Sequence, residues 1–282
     1  MSNKKKDRAI QMIRSVLLSK KIRINSQPPR WLTDFAGAWS FYSILPSWPW
    51  PKATFEQIAR FAPVIGVFTA TMQSFLWLSL GFLGWSTEAL ALLVIAMEIF
   101  ITGGLHLDGL MDTADGIGAG KERCIEAMED SRVGSYGVLA LVIVFLLQIS
   151  ALITLDSFAP VAIPIAAFWS RCAPLWAIKR FSYIHEEGSA SFHKRYSQFW
   201  VDILPGITLL IIGIFILYSL PIVSEIKSQI VSLIFLGLLP TILIPDLLGR
   251  YIGGHSGDTL GASQVLVQSA ILLMMAVIFN AI

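Results

Sequence analysis

Two charge-free apolar stretches, Gly137–Leu155 and Ile207–Leu220, restrict this chain more than any other feature. An apolar helix of about 20 residues is the length that crosses a bilayer. A helix on the surface of a water-soluble fold instead carries a polar face along its length. Composition agrees: 55% of the 282 residues are hydrophobic and 14% are charged, against a usual charged share of about 25%. These values exclude a soluble globular domain and a disordered chain, and they predict an all-α, polytopic membrane helix bundle. Hydropathy along the chain gives about seven transmembrane helices, near 58–83, 87–105, 136–156, 158–178, 203–223, 230–248 and 264–282. An interfacial amphipathic helix is expected at Trp31–Leu45, rich in aromatic residues and closed by the Pro46–Pro51 stretch. No linker separates two domains, so residues 1–30 read as a basic cytoplasmic arm and 31–282 as a single integral-membrane catalytic domain.

The distribution of charge tests that topology. Nine of the 21 Lys and Arg lie in residues 1–30, where Asp7 is the only acid. Such an arm suits an anionic membrane leaflet, and no nucleic-acid binding is expected from it. With the arm cytoplasmic, segments 106–135, 179–202 and 249–263 share its side and hold Lys121, Arg123, Arg132, Lys179, Arg180, Lys194, Arg195 and Arg250. The opposite loops hold only Lys227, as the positive-inside rule requires. Cys124 and Cys172 form no disulfide framework and no zinc spacing. The lysine-rich start lacks the apolar core and cleavage site of a signal peptide.

Three polar segments carry the chemistry, and all fall on that one face. The first, Thr102–Gly118, reads TGGLHLDGLMDTADGIG. Its Asp108, Asp112 and Asp115 are spaced i, i+4, i+7, which places them within an arc of about 60° on a helix. Each charge at bilayer depth costs roughly 2.5–3.5 kcal/mol, and neighbouring carboxylates repel one another. A bound cation resolves both problems, and oxygen donors beside one histidine, His106, favour Mg²⁺ or Mn²⁺ over zinc. Gly103, Gly104 and Gly109 are candidates to let backbone amides approach a phosphate. The plainer alternative is a solvated acidic helix start.

In the second segment, Glu122–Gly137, Asp130 is a candidate metal or proton group. Ser131 and Arg132 are candidates for phosphate oxygens, Arg132 as a two-pronged donor; Glu122, Arg123 and Glu129 fit an ordinary surface helix. The third, Gly253–Ala262, reads GGHSGDTLGA and runs into the last span, a natural anion site. Gly254 and Gly257 are its candidate substrate contacts, and Asp258 is either a ligand or an N-cap. His185, Glu186, Glu187, His193, Lys194 and Arg195 form a further polar loop, equally well read as solvated. Within the spans, Glu98 reaches the acidic face or pairs in the bundle, Arg171 suits a counter-ion, and Asp246 and Arg250 pair at i, i+4.

GGLHLDGLMDTADG, DSRVGSYGV and GGHSGDTLGA, in this order and over nearly the whole chain, resemble the cobalamin synthase (adenosylcobinamide-GDP ribazoletransferase) family. The resemblance implies a multi-pass enzyme of the cell inner membrane with a cytoplasmic active site and a need for Mg²⁺. Its expected partners are membrane lipid, adenosylcobinamide-GDP and α-ribazole or its 5′-phosphate; a second copy of the chain is left open. The expected products are GMP and adenosylcobalamin or its 5′-phosphate. Matched to the family's motifs, His106, Asp108, Asp112 and Asp115 fall on the first, Asp130 and Arg132 on the second, and Gly257 and Asp258 on the third. In the expected arrangement Asp108, Asp112 and Asp115 hold the metal and Arg132 steadies the departing phosphate. The proton of the attacking hydroxyl goes to Asp112, Asp130 or His106.

Three alternatives differ in sequence. A CDP-alcohol phosphotransferase has an Ala-Arg after its first Asp-Gly and two later Asp residues four apart, which this chain lacks. A prenyltransferase needs two Asp-rich helices. An ion-coupled transporter places its acids at the bilayer midplane, on paired broken helices.

Overall fold

A computed structural model describes residues 28–47, 49–184, 196–221 and 224–280 of the protein. Most of the basic arm, and the loop residues His185, Glu186, Glu187, His193, Lys194 and Arg195, lie outside the described residues. The regular structure among the described residues is helical. Helix α1 covers Arg30–Tyr42, α2 Ala62–Phe82, α3 Thr87–Thr102, α4 Leu105–Gly118 and α5 Cys124–Glu129. Then follow α6 at Ser135–Leu155, α7 at Ala159–Arg180, the single turn α8 at Phe199–Asp202 and α9 at Leu204–Ser219. Helices α10 (Ser224–Leu236), α11 (Leu238–Ile252) and α12 (Gly257–Asn280) complete the chain.

Among the described residues, five stretches are long and apolar enough to cross a membrane, and six if α3 and α4 together form one crossing. One of the five, Ser135–Arg180, contains two helices, α6 and α7. Gln148 of α6 donates to Ser269 Oγ at 2.8 Å, and Ser170 of α7 donates to Gln268 Oε1 at 3.4 Å. Both helices therefore pass the same level of α12, which means that the chain doubles back at Asp156–Phe158. Counted as two, they bring the crossings to the expected seven. Helices α3 and α4 meet at 93°. Helix α4 turns away from α3 and packs against the first turns of α6 and α12.

The boundaries differ where polarity misleads. The last span was expected from 264, but α12 starts at Gly257, two turns earlier. Ser256 caps it: Ser256 N donates to Thr259 Oγ1 at 2.8 Å and Thr259 N to Ser256 Oγ at 3.2 Å, satisfying amides that the helix leaves open. The expected span at 230–248 is found as the apolar stretch Ile230–Ile252, with a single turn residue, Gly237, between α10 and α11, where the Trp169 ring occupies the place a side chain would take.

The core is built by α2, α3, α6, α7 and α12 around Trp77, Val94, Leu152, Phe168, Val267, Ile271 and Met275. Small residues set the approach, as lipid tails offer helices no hydrophobic reason to associate. At Gly66 a Cβ would lie 2.5 Å from Arg171 Cγ. Buried polar groups pair across helices, Gln73 with the Val94 carbonyl at 2.9 Å and Ser74 with the Pro160 carbonyl at 2.8 Å. The polar segments gather at one end: Gly134 meets Asp115, Asp258 meets Gly109, and Tyr183 forms a parallel bridge with His255. Thr87 with Asp156, and Tyr218 with Lys227, mark the other end.

Candidate active site

Two glycines produce the turn that sets the site. Gly103 (φ 63°) and Gly104 (φ 75°) are both left-handed, a backbone that disfavours any side chain, so α3 ends and α4 leaves at a steep angle. Helix α4 then carries His106, Asp108, Asp112 and Asp115. Gly109 fits it against α12, since a Cβ there would lie 2.7 Å from the Asp258 carbonyl oxygen and 2.9 Å from its Cα. That contact is a role for Gly109 that the spacing of the motif did not indicate. It brings Asp258, from a motif 150 residues further along the chain, to the acidic face of α4.

The acids are not equivalent. Asp115 is latched to the start of α6, its Oδ2 accepting from Gly134 N and its Oδ1 from Gly137 N, each at 2.8 Å. Asp112 is half-buried amid like charges, and its pKa rises to about 6 through desolvation, then the charges of Asp108, Asp258 and Asp115. Asp108 is exposed at the rim. Asp130 and Arg132 bind each other in the exposed loop before α6, with Arg132 Nη2 2.6 Å and Nε 3.0 Å from the carboxylate. This pair holds the Asp130 pKa down to about 2. Ser131 is exposed between them.

His106 is buried beneath the acidic face, and Arg171 Nη1 lies 2.7 Å from its Nε2. Arginine only donates, so Nε2 accepts and the ring proton is on Nδ1. Burial and the Arg171 charge hold His106 well below its ordinary pKa, neutral. Arg171 thus serves as partner to His106, and its guanidinium also sits 5.6 Å over the Tyr42 ring. Glu98 pairs inside the bundle, accepting from Gln268 at 2.7 Å, and Asp246 pairs with Arg250 at 2.7 Å. Gly254 and Gly257 divide: Gly254 abuts Ser182 and Ile184, where the two loops bridge, while Gly257 opens α12 at a cavity wall.

That cavity, about 210 Å³, lies between α1, α4, α7 and α12, with His106, Asp108 and Asp258 on its polar side and Phe41, Tyr42, Pro174 and Ile178 on its apolar side. The aromatic wall went unnoticed in the sequence, because nothing in the spacing of Phe41 and Tyr42 separates a cavity wall from an interfacial anchor. Among the described residues, no three His, Cys, Asp or Glu side chains stand close enough together to enclose a metal ion.

The sequence profile of Cobalamin-5-phosphate synthase matches residues 34–276. The chain belongs to this family. A relative from Prochlorococcus marinus strain MIT 9303 is 56% identical over 257 residues, covering 90% of this chain and 98% of the relative. One from Trichormus variabilis is 32% identical, covering 84% and 94%. Both carry the name adenosylcobinamide-GDP ribazoletransferase. The family match spans both halves of the site, from α1 to α12. No solved structure matches the chain.

Proposed function

We propose that the chain transfers the cobinamide phosphate of adenosylcobinamide-GDP to α-ribazole or its 5′-phosphate, releasing GMP and forming adenosylcobalamin or its 5′-phosphate. The site would face the cytoplasm from the cell inner membrane, within a single catalytic domain over 31–282. The observation that carries this reading is the meeting of two distant motifs: Asp108 and Asp258 line one half-apolar cavity, and the charges of both act on Asp112.

The donor chemistry suits a hard divalent cation, because Asp108, Asp112 and Asp258 offer oxygen alone and repel one another, although as they stand they do not close around a single point. Mg²⁺ there would be held by Asp108, Asp112 and Asp258, with Asp115 beside them, and would supply positive charge that offsets the charge developing on GMP. Asp130 holds one edge of Arg132 and leaves the Nη1 edge for a phosphate oxygen. The ribose hydroxyl attacks the cobinamide-side phosphorus. Its proton passes to Asp112, since the acceptor nitrogen of His106 is taken by Arg171 and Asp130 is taken by Arg132. Ser131, exposed beside Arg132, is a substrate contact on this path, whereas the amides of Gly103 and Gly104 donate to the Phe100 and Ile99 carbonyls and are taken, so these two glycines shape the turn rather than bind phosphate.

The test is turnover by purified protein in nanodiscs with adenosylcobinamide-GDP, α-ribazole and Mg²⁺, following GMP and cobalamin by chromatography. Formation of both, abolished by EDTA and by Asp112→Asn, is the expected result. Folded protein that yields neither product rejects the proposal.

A further inference from the structure

Asp108 lines two concavities at once. One is the 210 Å³ cavity, the more enclosed of the two. The other is an open groove of about 690 Å³ between the end of α1 and the Gly103–Gly104 turn, with Ser43, Thr102 and Met111 among its walls. Phe41 and Leu105 line both and form the partition. We infer, on the basis of the transferase reading above, that the enclosed cavity binds the benzimidazole and ribose of the acceptor, and that the open groove binds the corrin-bearing donor, with Asp108 at the junction.

Size decides the donor's side. A corrin ring with its side chains cannot enter an enclosed 210 Å³, which lies below the range of about 300–1,000 Å³ that drug-sized ligands occupy. A flat bicyclic base is of the right class. The walls suit it as well, since Phe41 and Tyr42 offer ring faces for stacking, while Pro174 and Ile178 close the far side. One polar group is unspent. Gln264 is only 2% exposed and lines this cavity, and no protein group hydrogen-bonds its side-chain amide among the described residues. Its amide atoms are not sealed off but open onto cavity space, where a ligand can take the place of water. Its NH₂ would donate to the unsubstituted ring nitrogen of the base, and its carbonyl would accept from a ribose hydroxyl. The junction then sees one reaction. The ribose oxygen forms a bond to the cobinamide-side phosphorus, and the bond from that phosphorus to the bridging oxygen breaks. The electron pair leaves on GMP, and the hydroxyl proton passes to a carboxylate of the patch.

The experiment reads the two substrates separately. Steady-state KM is measured for acceptor and donor in the wild type, in Ala62→Leu and Gln264→Leu on the cavity side, and in Ser43→Leu on the groove side. Calorimetry measures α-ribazole binding to wild type and Gln264→Leu without donor. The cavity variants are expected to raise the acceptor KM about tenfold and leave the donor KM within about twofold, since a lost buried hydrogen bond has roughly that effect. Ser43→Leu is expected to show the reverse pattern. Cavity variants that raise the donor KM, or both equally, overturn the assignment, as does unchanged α-ribazole binding in Gln264→Leu. A folded wild type that binds α-ribazole through Gln264 yet makes no cobalamin overturns the transferase reading alone. Gln264→Leu changes volume far less than Ala62→Leu, so it and the calorimetry decide the matter if Ala62→Leu does not fold.

Discussion

The apolar stretches Phe199–Ser219, made of α8 and α9, and Gly257–Phe279 of α12 are both long enough to cross a membrane, yet 61% of the second is buried and 11% of the first. The difference lies in the small residues. Gly261 of α12 sits against His106, with a Cβ there 3.3 Å from the His106 backbone, whereas Gly213 of α9 has nothing within 4 Å. Helix α9 presents Ile211, Phe215 and Ile216 outward, to lipid. Apolar length says that a helix spans. Close backbone approach says which helix positions chemistry, and here α12 does so through its contact with α4.

The strongest way to break this comparison is a matched pair of glycine substitutions. Gly109→Ala puts a methyl group against the Asp258 backbone, which cannot swing away. Turnover is expected to fall by about 100-fold, the cost of displacing reacting groups by around 1 Å. Gly213→Ala should leave turnover unchanged and raise stability slightly, by at most about 1 kcal/mol. Equal effects of the two would show that the α4–α12 contact is not special.

Within the acidic face, Asp112→Asn is expected to abolish activity while the thermal midpoint holds or rises, because it removes a crowded charge. Asp115→Asn should instead weaken the latch on α6 and lower stability by about 1–2 kcal/mol, read by thermal unfolding in detergent. A smaller loss, about 1 kcal/mol, is expected for Ser256→Ala, which removes the α12 cap.

The smallest effect is in pH. A carboxylate with a raised folded pKa binds its proton more tightly when folded, so stability falls as pH rises from about 4 toward 6. With chelator present, the wild type should therefore lose stability relative to Asp112→Asn across that window. Taking the difference removes His255, whose pKa is lowered to about 4 by burial and which acts in the opposite direction. Asp130, held near 2, contributes only below it. A flat difference would show that Asp112 is not crowded.

The acidic triad was legible because helical spacing alone puts Asp108, Asp112 and Asp115 on one face. Its partner Asp258 was legible as a candidate, but its choice between ligand and cap was not. The structure gives the cap to Ser256, a signal present in the Ser256–Thr259 spacing and masked by a hydropathy window that begins where polar residues end. The Arg171–His106 bond joins residues 65 apart in the chain, and no local period encodes such a pair. A glycine reads the same in sequence whether it cradles a phosphate or another helix, so Gly109 was found without its role.

The short α3 has a consequence for the membrane itself. Its 16 residues rise only about 24 Å, against a hydrocarbon core of about 30 Å. Leu92 and Phe100 face outward from it, so lipid meets this helix directly. Such mismatch thins the surrounding bilayer at a cost of fractions of a kcal/mol per Å. A crossing this short favours a locally thinned bilayer, which keeps the Gly103–Gly104 turn and the carboxylates of α4 nearer to water.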